Sequence, residues 1–371
     1  MMKIFLHNML LLCFFGLVPT VILWPIVCAG AEQATSSNLG QKRGVVSGGI
    51  DTEYPDWFNH GFLDFKEDLA TANHAGKRLM ILFVLNGCPY CHAFVERNLS
   101  QKEVETLLRN KFDVITINMM GDRNVTHVDG KTYTEKTFAE ALKIQFTPTA
   151  IFLNEKGETI LRLNGYLPPE QFKVALDYLV EKSGKLSFRD YLELNAQTTK
   201  PGRLNYEDFY IAQPYNLMRK TQAKSKPLAV FFEQKDCPNC DVLHQKILSQ
   251  SETRKLLKQF DVVQLDMWDK TPLTTPEGKK STAREWAKLL DVKYAPTIIL
   301  FGDDGKEVIR TEAFFKLFHV QTVFDYVASG SYKQQPSFQR YIHQRSEQER
   351  AQGRDVNIWS MGDDSKIQLN H

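Results

Sequence analysis

Leu79-Met80-Ile81-Leu82-Phe83-Val84-Leu85, then Asn86-Gly87, then Cys88-Pro89-Tyr90-Cys91: this stretch decides the fold. Seven consecutive apolar residues with no helical period read as a strand buried on both faces. The cysteine motif follows at once and opens a helix. Pro89 takes the first helical position, where a missing N–H costs nothing.

The same arrangement returns further on. Leu228-Ala229-Val230-Phe231-Phe232 precedes Cys237-Pro238-Asn239-Cys240. Leu99-Ser100-Gln101 recurs as Leu248-Ser249-Gln250, and Phe112-Asp113-Val114 as Phe260-Asp261-Val262. Thr147-Pro148-Thr149 answers to Ala295-Pro296-Thr297, at a near-constant offset of 148 or 149 residues. A fixed offset of this kind is the signature of a duplicated unit.

Each unit alternates strand and helix. After the cysteine helix come a second helix (about 102–109; 252–259) and a β-rich run at 114–117 or 262–265. A polar loop and another helix (134–142; 282–290) lead to a proline turn and a strand at 149–153 or 297–301. Asn154-Glu155-Lys156-Gly157 and Gly302-Asp303-Asp304-Gly305 read as hairpin turns before a last strand and helix. This order predicts an α/β fold, a mixed central sheet flanked by helices, present twice. The predicted organisation is 51–183 for the first domain, 184–206 for a linker with a short helix, and 207–330 for the second. A C-terminal helix and tail fill 331–371, with 353–371 read as mobile. Ser187-Phe188 with Tyr191-Leu192, and Ser337-Phe338 with Tyr341-Ile342, put an apolar stripe on a helix after each unit. The simpler expectation is that each such helix packs on its own domain.

The chain has 371 residues, enough for two domains, and is 43% apolar and 11% aromatic, enough to bury real cores. With 46 basic and 44 acidic residues the formal net charge is +2, and no basic face or arm suggests a nucleic-acid binder. At the N-terminus, Lys3 precedes an apolar run from Met9 to Cys28 and small residues at Ala29-Gly30-Ala31. That order reads as an export signal over 1–31 with cleavage after Ala31, or as an uncleaved membrane anchor. A lipoprotein reading through Cys28 is weaker, because Pro25-Ile26-Val27 lacks the usual residues ahead of the cysteine. The body is expected in the periplasm or otherwise outside the cytoplasm, touching membrane only if the segment stays.

Of six cysteines, Cys13 and Cys28 fall in the export segment, leaving two C-x-x-C pairs. A disulfide-stapled scaffold would scatter its cysteines, so the pattern is one of redox or metal chemistry. Four-cysteine zinc sites hold their pairs within one module, about 15–20 residues apart. Here each pair has its own unit, strand and proline, so no metal site is assigned; inert structural disulfides are the other bland reading. For redox work a helix N-terminus favours the thiolate, which is the attacking species. Cys88 and Cys237 are therefore assigned attack, and Cys91 and Cys240, three residues on, resolution of the mixed disulfide.

Cys88-Pro89-Tyr90-Cys91 with Phe146-Thr147-Pro148, and Cys237-Pro238-Asn239-Cys240 with Tyr294-Ala295-Pro296, resemble the thioredoxin superfamily, in particular exported SoxW-like thioredoxin proteins. The resemblance covers about residues 51–330 in two copies. It implies that Pro148 and Pro296 are cis and stand beside the cysteines. The backbone of Thr147 and Ala295 should then pair with an extended substrate segment. It further implies redox-active disulfides Cys88–Cys91 and Cys237–Cys240 with no other cofactor. Protein thiols and disulfides are the implied partners, with a membrane thiol donor of electrons possible by the same resemblance. Pro89-Tyr90 and Pro238-Asn239 replace the family's Gly-Pro and should tune each centre. The family's buried acid, six residues before the first cysteine, is Leu82 in one unit and Phe231 in the other. Glu233 offers a replacement only in the second unit, where an exposed glutamate is as good a reading. Residues 121–133 form a longer loop than a minimal thioredoxin has, expected to shape substrate access.

An enzyme exchanging dithiol and disulfide with proteins is the leading reading. Whether it reduces, oxidises or isomerises depends on reduction potentials, which the intervening dipeptide does not fix. The alternative is a peptide-binding or chaperone-like module whose cysteines are secondary. The two centres either pass electrons between them or work independently.

Overall fold

The computed structural model describes residues 42–196, 202–219, 225–312 and 315–362. The export segment with Cys13 and Cys28, part of the linker (197–201) and the end of the tail (363–371) lie outside them. Among the described residues no helix is long and apolar enough to cross a membrane.

The first repeat begins with β1 (Val46–Ser47), α1 (Phe65–His74), β2 (Arg78–Val84) and α2 (Pro89–Ala93), which runs on through a wider helical turn at 94–99. Then follow α3 (Lys102–Lys111), β3 (Phe112–Asn118), the small strands β4 (Asn124–Thr126) and β5 (Thr132–Thr134), and α4 (Glu135–Ala141). β6 (Thr149–Leu153), β7 (Thr159–Asn164) and α5 (Pro169–Glu181) close it, and α6 (Phe188–Ala196) leads on. Its sheet runs β3-β2-β6-β7, with β2 parallel to β3 and antiparallel to β6.

The second repeat has β8 (Tyr215–Asn216), β9 (Leu228–Glu233), α7 (Pro238–Val242), α8 (Ser251–Leu257) and β10 (Asp261–Asp266). After β11 (Pro272–Thr274), β12 (Lys280–Thr282) and α9 (Ala283–Leu289) come β13 (Thr297–Phe301), β14 (Glu307–Thr311) and α10 (Leu317–Ala328). Its sheet, β10-β9-β13-β14, has the same parallel and antiparallel pairings. α11 (Phe338–Ala351) and β15 (Val356–Asn357) end the described chain.

Both central strands are buried along almost their whole length because both faces are covered. Met80, Leu82 and Val84 face the layer that holds the cysteines, while Leu79, Ile81 and Phe83 face a separate core behind the sheet. Val125 of β4 lies in that rear core. The loop at 121–133 is therefore a hairpin packed on the far face of the sheet, and the expectation that it shapes substrate access is corrected.

The cysteine-side layers of the two repeats merge into one apolar core. The ring of Phe146 in the first repeat packs, tilted, 4.7 Å from Phe315 and 5.2 Å from Phe338. Phe188 of α6 touches both Tyr178 and Tyr294. Arg189, buried, donates to the carbonyls of Met267 (2.9 Å) and Val292. The helices at 188 and 338 pack on their own repeats, through Tyr178 and Tyr326, and also reach the other repeat, which goes beyond the expectation that each packs only at home. Their stripes are wide enough to serve two neighbours.

The stretch 353–371 is also not simply a tail. β15 pairs in parallel with β1, and Val356 is buried. Gly44 makes this possible: a Cβ there would stand 2.0 Å from the Arg354 carbonyl oxygen. Val356 and Trp359 anchor the last described residues against β1 and Tyr90.

Candidate active site

The cysteines stand where β2 and β9 give way to helices, and the turn there needs a left-handed residue. Gly87 supplies it with φ +69° in the first repeat and Asp236 with φ +53° in the second. Aspartate is among the few side chains that tolerate this region. Cys88 and Cys237 then cap α2 and α7: each sulfur accepts the amide N–H three residues on, at 3.1 Å. Pro89 and Pro238 occupy the first helical turn.

At the first centre Cys88 and Cys91 are both buried and their sulfurs lie 2.6 Å apart. The Cys88 sulfur also accepts from Thr147 Oγ1 at 3.3 Å. Burial pushes the Cys88 thiol up, but the hydrogen bonds from the Cys91 thiol, Thr147 and the backbone outweigh it and hold Cys88 below its ordinary value. Cys91 goes the other way. Burial raises it well above the free-thiol range, and the Cys88 sulfur beside it raises it further. The two sulfurs therefore have separate characters: one is disposed to be thiolate, the other to keep its proton. Tyr54, which sequence reasoning missed, lies beside this pair; burial and the two sulfurs hold its phenol well above its ordinary range.

Thr147–Pro148 and Ala295–Pro296 are both cis peptide bonds, as is Gln213–Pro214. The carbonyl of Thr147 stands 3.6 Å from the Cys88 sulfur, so the cis turn and the cysteine are in contact. Pro296 borders a cavity of only about 20 Å³ together with Asn239 and Phe315.

Tyr90, inside the first motif, is held by the second repeat. Its hydroxyl accepts the Lys316 N–H at 2.8 Å and lies 3.4 Å from His319 Nδ1. Its ring packs against Phe315, His319 and Trp359. His319 is partly buried, and burial lowers its pKa to about 4, so the imidazole is neutral at pH 7.

At the second centre Cys237 and Cys240 are joined as a disulfide. Close to it in sequence, Glu233 at the end of β9 is wholly buried, which corrects the reading of an exposed glutamate. One carboxylate oxygen lies 2.9 Å from His244 Nε2 and the other accepts from Gln264 at 3.0 Å. His244 Nδ1 faces Glu207 at 2.9 Å, and Glu207 pairs with Arg254 at 2.6 Å. An imidazole with a carboxylate at each nitrogen donates from both and is therefore the cation. Burial opposes that charge, yet Glu233 and Glu207 raise the His244 pKa overall. His244 follows Cys240 by one helical turn, a spacing that could have flagged it. Among the described residues no cluster of His, Cys, Asp and Glu is arranged to hold a metal ion.

The thioredoxin-like domain, as a family, matches residues 65–180 and again residues 215–328, together more than half of the chain. The chain belongs to the thioredoxin-like domain family. Among solved structures it is similar to a thioredoxin-fold protein from Helicobacter pylori, at 22% identity and TM-score 0.31, over 38% of this chain and 91% of that one. It is also similar to a thioredoxin from Thermus thermophilus, at 28% identity and TM-score 0.27, over 33% of this chain and 87% of that one. A DsbH oxidoreductase aligns at 12% identity and TM-score 0.26, over 37% and 96%. No curated protein matches the chain. This thioredoxin-like protein is thus a tandem of two family domains, each with its own C-x-x-C pair and cis-proline.

Proposed function

We propose that the protein is an exported thiol–disulfide oxidoreductase acting on disulfides of other proteins. The observation that carries this reading is the placement of the Cys88 and Cys91 sulfurs 2.6 Å apart, with Cys88 capping a helix and touching the cis Thr147–Pro148 turn. The Cys88 thiolate attacks one sulfur of a client disulfide. An S–S bond forms, the client's own S–S bond breaks, and its other sulfur leaves as a thiolate that takes up a proton. Cys91 gives up its proton and displaces the client from Cys88. The client gains two electrons as a dithiol, and the Cys88–Cys91 pair is left as a disulfide. A dithiol donor returns the pair to its starting state, and the reverse sequence oxidises a client. Export rests on the basic start, apolar run and small-residue site of residues 1–31. A membrane thiol protein is the donor that such a location suggests.

The test is disulfide reduction by the full chain with dithiothreitol as donor. Turnover should vanish when Cys88 and Cys237 are both changed to serine. Undiminished turnover in that double variant would remove the assignment. A peptide-binding module with secondary cysteines would show binding with no cysteine-dependent turnover.

A further inference from the structure

Cys88 and Thr147 open into a cavity of about 570 Å³. That value falls within the range of about 300–1,000 Å³ typical of ligand sites. About half of its wall belongs to the first repeat, Leu85, Met120 and Phe146 among it; the other half, with Phe318, Ile342 and Ile358, comes from beyond the second cysteine pair. Arg340 and His343 also line it, and among the described lining residues there is no carboxylate.

We propose that the second repeat and the C-terminal strand serve as the recognition wall of the first centre. The cavity takes an extended client segment with a large apolar side chain, and an acidic neighbour, beside its cysteine. This rests on the reading of Cys88 as the attacking sulfur. Cys88 is part of the cavity lining, so a client segment seated in it stands beside the Cys88 sulfur. Its apolar flank meets Met120, Ile342 and Ile358, and its acidic flank meets Arg340 and His343. His319 also lines the cavity and adds no charge to it at neutral pH. The wall is held in place before any client arrives. Lys316 N–H binds Tyr90, Gln339 donates to the Gln145 carbonyl at 2.8 Å, and β15 pairs with β1. Such preorganisation leaves little ordering cost to the binding step.

The experiment uses the full chain and two disulfide-linked peptides that differ only beside the cysteine, Leu-Asp in one and Ser-Lys in the other. Hydroxyethyl disulfide reports the bare chemistry, and serine-for-cysteine forms of the peptides report binding by fluorescence anisotropy. The wild type should favour the Leu-Asp peptide by about tenfold in kcat/KM, the scale of one apolar pocket contact. Ile342→Asp should bring that ratio below about twofold, and Ile358→Asp serves where the first variant does not fold. Equal kcat/KM for both peptides in the wild type, or an undiminished ratio in either folded variant, would overturn the proposal. If hydroxyethyl disulfide is not turned over, the oxidoreductase reading fails by itself. Anisotropy then decides: preferential binding of the Leu-Asp form that Ile342→Asp abolishes sustains the wall, and equal binding of both forms removes it.

Discussion

In the first repeat the strand before the cysteines ends on Val84 and the helix after them carries Val95. At the matching places in the second repeat stand Glu233 and His244, buried and paired. One backbone thus accommodates either an apolar contact or an ion pair under its redox helix. The apolar version needs only volume. The charged version needs every lone pair and proton matched, and Glu207, Gln264 and Arg254 complete that matching. Above the first centre lies a large cavity whose apolar wall is fixed in part by the second repeat. The duplicated units have thus diverged around the helix that carries the sulfurs, while each four-stranded sheet kept its order.

That contrast can be broken most sharply by single substitutions at the attacking sulfurs. Cys88→Ser should lower turnover of a polypeptide disulfide by about 100-fold or more, and Cys237→Ser by less than about threefold, in steady-state assays. Comparable losses would mean that the two centres share the client work.

Stability comes next. Glu233→Leu leaves the buried His244 cation with one carboxylate fewer, which should cost about 3 kcal/mol in urea unfolding. The pH dependence has a definite sign. A histidine raised above its ordinary value of 6.5 contributes stability that is fully present below 6.5 and lost as pH climbs through the raised folded value. Thermal melts of the wild type should fall on that alkaline side, and His244→Gln should flatten the trend. A wild-type Tm that rises over the same range would show that His244 is not the charged partner.

A smaller effect sits at the junction of the repeats. Tyr90→Phe removes the acceptor of the Lys316 N–H and should cost about 1 kcal/mol. The two cysteines of the first pair should also separate in alkylation. Cys88, held below its ordinary value, should react with iodoacetamide at lower pH than Cys91, which burial raises. Mass mapping of the reduced chain at stepped pH reads the order directly.

Much of this was legible in the sequence because it is local. A buried strand, a cysteine, a proline and a helix follow one another within about a dozen residues, and the repeat offset announced the second copy. What lay hidden depends on contacts between distant residues. Nothing near Tyr90 says that Lys316 and His319 hold it, and nothing near Cys88 says that Ile342 and Ile358 wall its cavity. The role of the 353–371 stretch was hidden for a related reason. Val356, Ile358, Trp359 and Met361 form an apolar patch too short to give a period, and only the pairing of Val356 with Val46 gives it a place. Glu233 was half legible: its position was visible, but its burial depended on His244, Glu207 and Gln264 arriving together.

The most direct test of the asymmetry is a trap. With Cys91 and Cys240 both changed to serine, each attacking cysteine keeps no resolving partner, so a client cysteine stays where it first bonds. After incubation with a disulfide-linked peptide, proteolysis and mass spectrometry locate the mixed disulfide. Nearly all of it should be on Cys88. A mixed disulfide chiefly on Cys237, or an even division between the two, would contradict the account.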